Sequence, residues 1–182
     1  QVIIVSQLCP GIFDKISKNC KNEIYYQVDT WVFGEALSRA KKTERIIVGS
    51  KNKKIENKSF EYLLSKFKCP KINMDFMTAE MTKISINILL ISTAMTSNYL
   101  SILSEKIGFD WSQIAKSLRL DKRIGKFSYL SPSLGLAGGN LERDLYYMQK
   151  ITKQMNLNIY LINSWKKISD IKKKWITDII NN

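Results

Sequence analysis

Apolar positions follow one rhythm up to about residue 77 and another beyond it. In the first stretch, short apolar runs alternate with segments of helical spacing. Residues 2–8 (VIIVSQL) are apolar almost throughout and predict a buried strand, ended by Pro10-Gly11. Residues 12–18 predict a short helix. Residues 23–28 (EIYYQV) and 44–50 (ERIIVGS) predict two more strands, with helical spacing over 31–41 between them. A polar turn covers 51–58. Ser59 is placed to cap a helix through residue 66, with Phe60, Leu63, Leu64 and Phe67 on its buried face. Pro70 stops that helix, and 71–76 predicts a last strand.

From Thr78, read as the N-cap, the period becomes helical. Met81, Ile84, Ile88, Ile91 and Met95 recur at steps of three and four, while Ile86, Leu89, Leu90 and Leu100 fill other faces. A helix apolar around most of its circumference is normally buried. Gly108 should end it after about seven turns. Residues 111–118 predict a short amphipathic helix, and 141–155 predict another after a glycine-containing loop. The last part, 158–182, sets Leu161, Trp165, Ile168, Ile171, Trp175 and Ile179 among lysines. It reads as an amphipathic helix running on toward a further domain. The pattern therefore divides the chain into an α/β part over 1–77, a helical part over 78–157 and a final helix over 158–182.

Composition narrows the chemistry. The chain has 182 residues and no histidine, which excludes histidine-based triads, histidine general bases and most metal sites. Cys9, Cys20 and Cys69 form no CxxC pair, so neither a disulfide framework nor a zinc site is expected, and a reducing cytoplasm is the expected location. No run of about 18 apolar residues occurs, so no membrane span is expected. The net charge is +13, which attracts anionic partners, yet the lysines are scattered, arginines number only five, and no nucleic-acid motif accompanies them. Nucleic acid is thus not the expected partner. The chain opens on Gln1 inside a strand and reads as part of a longer polypeptide.

Any catalysis must rest on Lys, Asp, Glu, Asn and backbone dipoles. Glu80, Lys83 and Asn87 stack on one face of the long helix at i, i+3 and i+7. One reading is a Glu80–Lys83 pair at a solvated helix start. The other is a polar site, which Asn87, deeper in the helix, favours because a buried amide needs partners. Gly135, Gly138 and Gly139 precede a helix start, whose free amides suit an anion, although a plain loop meets the same pattern. Asp144 lies one turn from Asn140. It is either a helix-start carboxylate or a group that orients water in a cleft.

The order of three pieces, TAEMTKISINILL, LDKRIGKF and GLAGGNLERD, resembles the central region of the UDP-glucose/GDP-mannose dehydrogenase family. That family has a TAEM-like helix start with Lys and Asn one turn apart, an RIG loop, and a glycine-rich loop holding a catalytic cysteine followed by Lys-Asp. VSQLCPG and VDTWVFGEALSRAKKTERIIVG resemble two upstream segments, and the helix near Asn163 resembles the one leading to the family's nucleotide-sugar domain. The resemblance covers nearly the whole chain in order.

It implies the C-terminal part of a Rossmann-like, NAD-binding α/β domain followed by a helical dimerisation domain with a long buried helix. It implies NAD-dependent oxidation of the C6 alcohol of a UDP- or GDP-hexose by a homodimer, in glycan precursor synthesis. By position, Lys83 would stabilise an oxyanion, and Asn87 and Asp144 would orient water. Arg123 would reach substrate, and Phe127, Gly135, Gly138 and Gly139 would line the nucleotide-sugar site. Gln7 and Arg143 would stand at the cofactor. The G-x-G-x-x-G fingerprint is absent from this chain. Departures accompany the match. Asn140 stands where the family keeps the cysteine that carries a thiohemiacetal and a thioester. Gln7 stands for a threonine, Asp29 and Phe33 for glutamates, and Arg143 for a lysine. An amide cannot form a thioester. The sequence therefore supports either a dehydrogenase with altered catalytic residues or a non-catalytic sugar-nucleotide-binding or dimerisation module.

Overall fold

The computed structural model describes residues 1–30 and 34–181. The first part of the expected 31–41 helix, including Phe33, lies outside the described residues. The chain forms two units, Gln1–Ser85 and Ile86–Asn182.

In the first unit, β1 (Val2–Ile4), β2 (Ile24–Gln27), β3 (Ile46–Gly49) and β4 (Lys71–Met74) form a sheet of that order. The outer pairs are parallel and β2–β3 is antiparallel. Around it lie α1 (Ile12–Asn19), α2 (Ala36–Lys41), α3 (Lys58–Ser65) and the start of α4 (Phe76–Ile107). Alternate residues of the inner strands serve two cores, as the period-two pleat requires. Ile24, Tyr26 and Ile47 join Phe13, Phe76 and Ala79, while Tyr25, Ile46 and Val48 join Phe60 and Leu64. Gly49 is needed here, because a Cβ on it would sit 2.7 Å from the Ala79 Cβ.

Several expectations are corrected. Residues 2–8 were expected to form one buried strand; β1 covers only Val2–Ile4, and Val2 and Val5 are exposed among the described residues. The cap of α3 is Asn57, whose Oδ1 accepts the amides of Ser59 (3.0 Å) and Phe60 (3.2 Å). Leu63 is 49% exposed, at the edge of the stripe defined by Phe60 and Leu64. The cap of α4 is Asp75, which takes the Thr78 amide at 2.8 Å, so Thr78 is already helical. That amide also holds the Asp75 carboxyl below its usual value. With 32 residues, α4 runs to about nine turns rather than seven.

The second unit holds the rest of α4 with α5 (Trp111–Leu120), α6 (Gly139–Gln154) and α7 (Tyr160–Asn181). Ile91 and Met95 of α4 pack with Leu136, Leu145 and Ile162, and Trp111, Ala115 and Leu130 form a smaller cluster. Only one side of α4 is buried there: Leu89 is 68% and Tyr99 51% exposed. By length and composition alone, α4 could cross a membrane, yet Ile84, Ile91 and Met95 are fully buried within the protein. The stripe of α7 also differs from expectation. Ile162, Ser169 and Lys172 are buried, with Trp165 and Ile168 beside Ile162's cluster, whereas Leu161, Ile171 and Ile179 are exposed. The buried line is offset by one position and admits polar residues.

Candidate active site

Asn87 of α4 and Asp144 of α6 meet in the interior of the second unit. Asp144 is fully buried and Asn87 nearly so, and the Asn87 Nδ2 donates to Asp144 Oδ2 at 2.5 Å. A carboxylate only accepts, so the amide must turn its NH2 toward Asp144, which orients its Oδ1 the other way as an acceptor. Arg143, half-buried, places Nε 3.3 Å from Asp144 Oδ1. The polar interruption of α4 is thus a satisfied buried pair.

The glycine loop leads into the same helix. Gly138 precedes α6 at φ 84° with no side-chain cap, so the first amides of α6 are not taken by a capping side chain. A Cβ at Gly138 or Gly139 would meet nothing within 4 Å, so these two leave the helix start open. Gly135 does something different. At φ +94°, its Cβ would fall 2.5 Å from the Ser169 carbonyl oxygen of α7, so only glycine allows the loop to lie so close. Asn140, the second residue of α6, is exposed. Phe127 is 87% exposed. The Arg123 guanidinium is exposed and bonds Asp121 through Nε (3.0 Å) and Nη2 (2.6 Å). That pairing holds the Asp121 carboxyl below its usual value and raises Arg123.

In the first unit, Glu80 does not sit at a solvated helix start, which was one of its two readings. It is 2% exposed and accepts the amides of Gly11 (2.7 Å) and Phe13 (3.0 Å), closing the N-terminus of α1. Burial pushes its carboxyl above the ordinary value, and the amides of α1 oppose that rise. Lys83 and Gln7 are half-buried in the same unit.

Residues 77–170, just over half of the chain, match the UDP-glucose/GDP-mannose dehydrogenase family, central domain. The chain belongs to that family. It is 27% identical over 145 residues to UDP-glucose 6-dehydrogenase YwqF of Bacillus subtilis, covering 80% of this chain and 32% of that protein. It is 30% identical over 127 residues to UDP-glucose 6-dehydrogenase of Rickettsia bellii, covering 66% of this chain and 28% of the relative. The chain thus spans about a third of the length of these relatives. Its fold matches a UDP-glucose dehydrogenase from Pyrobaculum islandicum with TM-score 0.79 at 20% identity, over 93% of this chain and 41% of that one. A UDP-D-ManNAc dehydrogenase from Pyrococcus horikoshii matches with TM-score 0.78 at 16% identity, over 98% and 44%. The architecture is accordingly that of nucleotide-sugar dehydrogenases, a Rossmann-like α/β part followed by a helical part.

Within the family match lie Lys83, Asn87, Arg123, Phe127, Gly135, Gly138, Gly139, Asn140, Arg143 and Asp144; Gln7 precedes it. Sequence reasoning missed three residues of the second unit, Ser97 and Asn98 on α4 and Ser169 on α7. Each is buried and hydrogen-bonded to the main chain of the glycine loop or the segment before it. The signal was present. Asn98 interrupts the same apolar helix as Asn87, three turns on and on the same face.

Proposed function

We propose that this chain is the central portion of an NAD-dependent nucleotide-sugar dehydrogenase that oxidises the C6 alcohol of a UDP- or GDP-hexose, without the covalent cysteine step. The observation that carries the reading is the buried Asn87–Asp144 hydrogen bond beside an uncapped helix start that follows the glycine loop. Asp144 fixes the Asn87 amide, leaving its Oδ1 as an acceptor for a water or a substrate hydroxyl. The open start of α6 and the basic chain, at +13, suit a diphosphate. Lys83, on the first-unit part of α4, is proposed as the ammonium for a developing alkoxide, a role worth several kcal/mol in a dry site.

Asn140 sets the limit of the reaction. It occupies the nucleophile's position as a neutral, exposed amide, so no acyl-enzyme forms there. Oxidation then stops at the aldehyde. The residues present do not build a pyrophosphate site for NAD: the chain has no G-x-G-x-x-G turn, and Arg143 is engaged with Asp144. NAD binding is therefore assigned to the whole protein, with Gln7 and Arg143 as contributors at most. The exposed Leu89 and Tyr99 of α4 support homodimerisation through that helix. Three free cysteines fit a cytoplasmic setting.

The test is NADH formation by the full-length protein on a panel of UDP- and GDP-hexoses, repeated with Lys83→Met and Asp144→Asn. Loss of turnover in both variants supports the assignment, and indifference to either change refutes that residue's role. Binding of a sugar nucleotide without any NADH would leave the non-catalytic module, which Asn140 favours, as the function.

A further inference from the structure

The loop from Tyr129 to Leu136 has almost no regular structure of its own, yet four of its main-chain groups are held by buried side chains of three helices. Asn98, fully buried on α4, uses both halves of its amide on Ser133: Oδ1 accepts the Ser133 amide at 2.7 Å, and Nδ2 donates to Ser133 Oγ at 3.2 Å. Next to it, Ser97 donates to the Tyr129 carbonyl at 2.9 Å. Trp111 of α5 donates its Nε1–H to the Leu130 carbonyl at 3.0 Å. Ser169 of α7 accepts the Leu136 amide on Oγ at 2.8 Å, and its own carbonyl occupies the space that a side chain at Gly135 would need.

We infer that Asn98, supported by Ser97 and Ser169, is a positioning residue that fixes the shape of this loop for nucleotide-sugar binding. The inference rests on the assignment of that loop to the nucleotide-sugar. Its physical basis is the direction of the hydrogen bonds. An apolar core between helices is served as well by Leu or Ala, and a polar group buried there gains little net stability. Here buried polar groups from three helices converge on main-chain atoms of one irregular segment, while Ser97 is also within reach of the Thr93 carbonyl of its own helix (2.9 Å) and Asn98 also holds the Ser133 hydroxyl. Such bonds fix a backbone shape whatever the loop side chains are, and they leave residues 131–134 and 137–140 exposed. A binding surface made of backbone needs its main chain set before the ligand arrives, since disorder in the free loop would lower affinity.

The experiment measures steady-state kinetics and sugar-nucleotide affinity of the full-length protein, wild type, Asn98→Ala, Asn98→Asp and Ser169→Ala. Asn98→Ala is expected to raise KM and Kd for the sugar nucleotide by about tenfold or more, while kcat changes less than threefold. Asn98→Asp keeps an acceptor for the Ser133 amide and is expected to recover most of the affinity. Hydrogen exchange at the Ser133 and Leu136 amides should accelerate in step with the lost affinity. A folded Asn98→Ala protein with unchanged KM and Kd overturns the inference and leaves the proposed function standing. If Asn98→Ala does not fold, Ser169→Ala decides on the same criterion. A wild-type protein that binds no sugar nucleotide overturns the proposed function and, with it, this inference.

Discussion

Replacing Asp144 by alanine removes the acceptor from a buried amide, and the cost can be worked from the geometry. Asn87 Nδ2 makes its hydrogen bond to Asp144 in a region where Asn87 is 6% exposed. An orphaned buried donor costs about 1–3 kcal/mol. The lost carboxyl volume adds roughly 1 kcal/mol. The link to the half-exposed Arg143 is worth under about 1 kcal/mol, and relief of a buried charge offsets part of the total. The net loss is about 2–3 kcal/mol. Asp144→Asn has the same shape and can still offer an oxygen to Asn87, so it should cost about 1 kcal/mol. The assay is denaturant unfolding of wild type and both variants, with m-values compared to confirm a common unfolded state. Near-neutral Asp144→Ala would show that the hydrogen bond contributes nothing. Equal damage from the two variants would show that the negative charge, and not the bond to Asn87, holds the site.

Three further outcomes are expected. Gly135→Ala forces a side chain to φ +94° and into the Ser169 carbonyl, for a loss of about 2–4 kcal/mol, whereas Gly139→Ala, with open space around it inside α6, should be neutral or slightly stabilising; similar unfolding midpoints for the two variants would contradict the packing described. Burial raises Glu80 above the ordinary value of 4.5, so the stability linked to its protonation is complete below that pH and is lost as pH rises through the higher folded-state value. Glu80→Gln, which cannot titrate, should therefore gain on wild type as pH increases across the weakly acidic range, and parallel stability–pH curves would disprove it. Asn140→Cys places a thiol at the exposed first turn of α6, where the uncapped helix start favours the thiolate. It should react with a thiol reagent faster than the half-buried Cys9, Cys20 and Cys69, and an equal or slower rate would argue against an open site.

How much of this was legible in the sequence depends on which force decides each feature. The rhythm of Tyr25/Tyr26 and Ile46/Ile47/Val48 announced strands, because period-two burial is local information. The rise of a long helix through Ile84, Ile91 and Met95 was equally plain. Asn87 stood out as a polar residue needing a partner, and Asp144 was named among the candidates, but their pairing belongs to tertiary structure. The caps were misplaced by two or three residues, since Asn57 and Ser59, or Asp75 and Thr78, offer equivalent local chemistry and only the final backbone chooses between them. Glu80 was read against Lys83 on its own helix, whereas its donors, Gly11 and Phe13, lie some seventy residues away in sequence. The loop anchors Ser97, Asn98 and Ser169 were overlooked because small polar residues in helices are common and their significance comes from the loop that reaches them.

The central claim, a nucleotide-sugar dehydrogenase chemistry that ends before any covalent intermediate, is tested most directly by the stoichiometry of NADH formed per sugar consumed in the full-length protein. The account predicts one equivalent, with a trappable aldehyde as product. Two equivalents would contradict it, because another group would then be doing the work that Asn140 cannot.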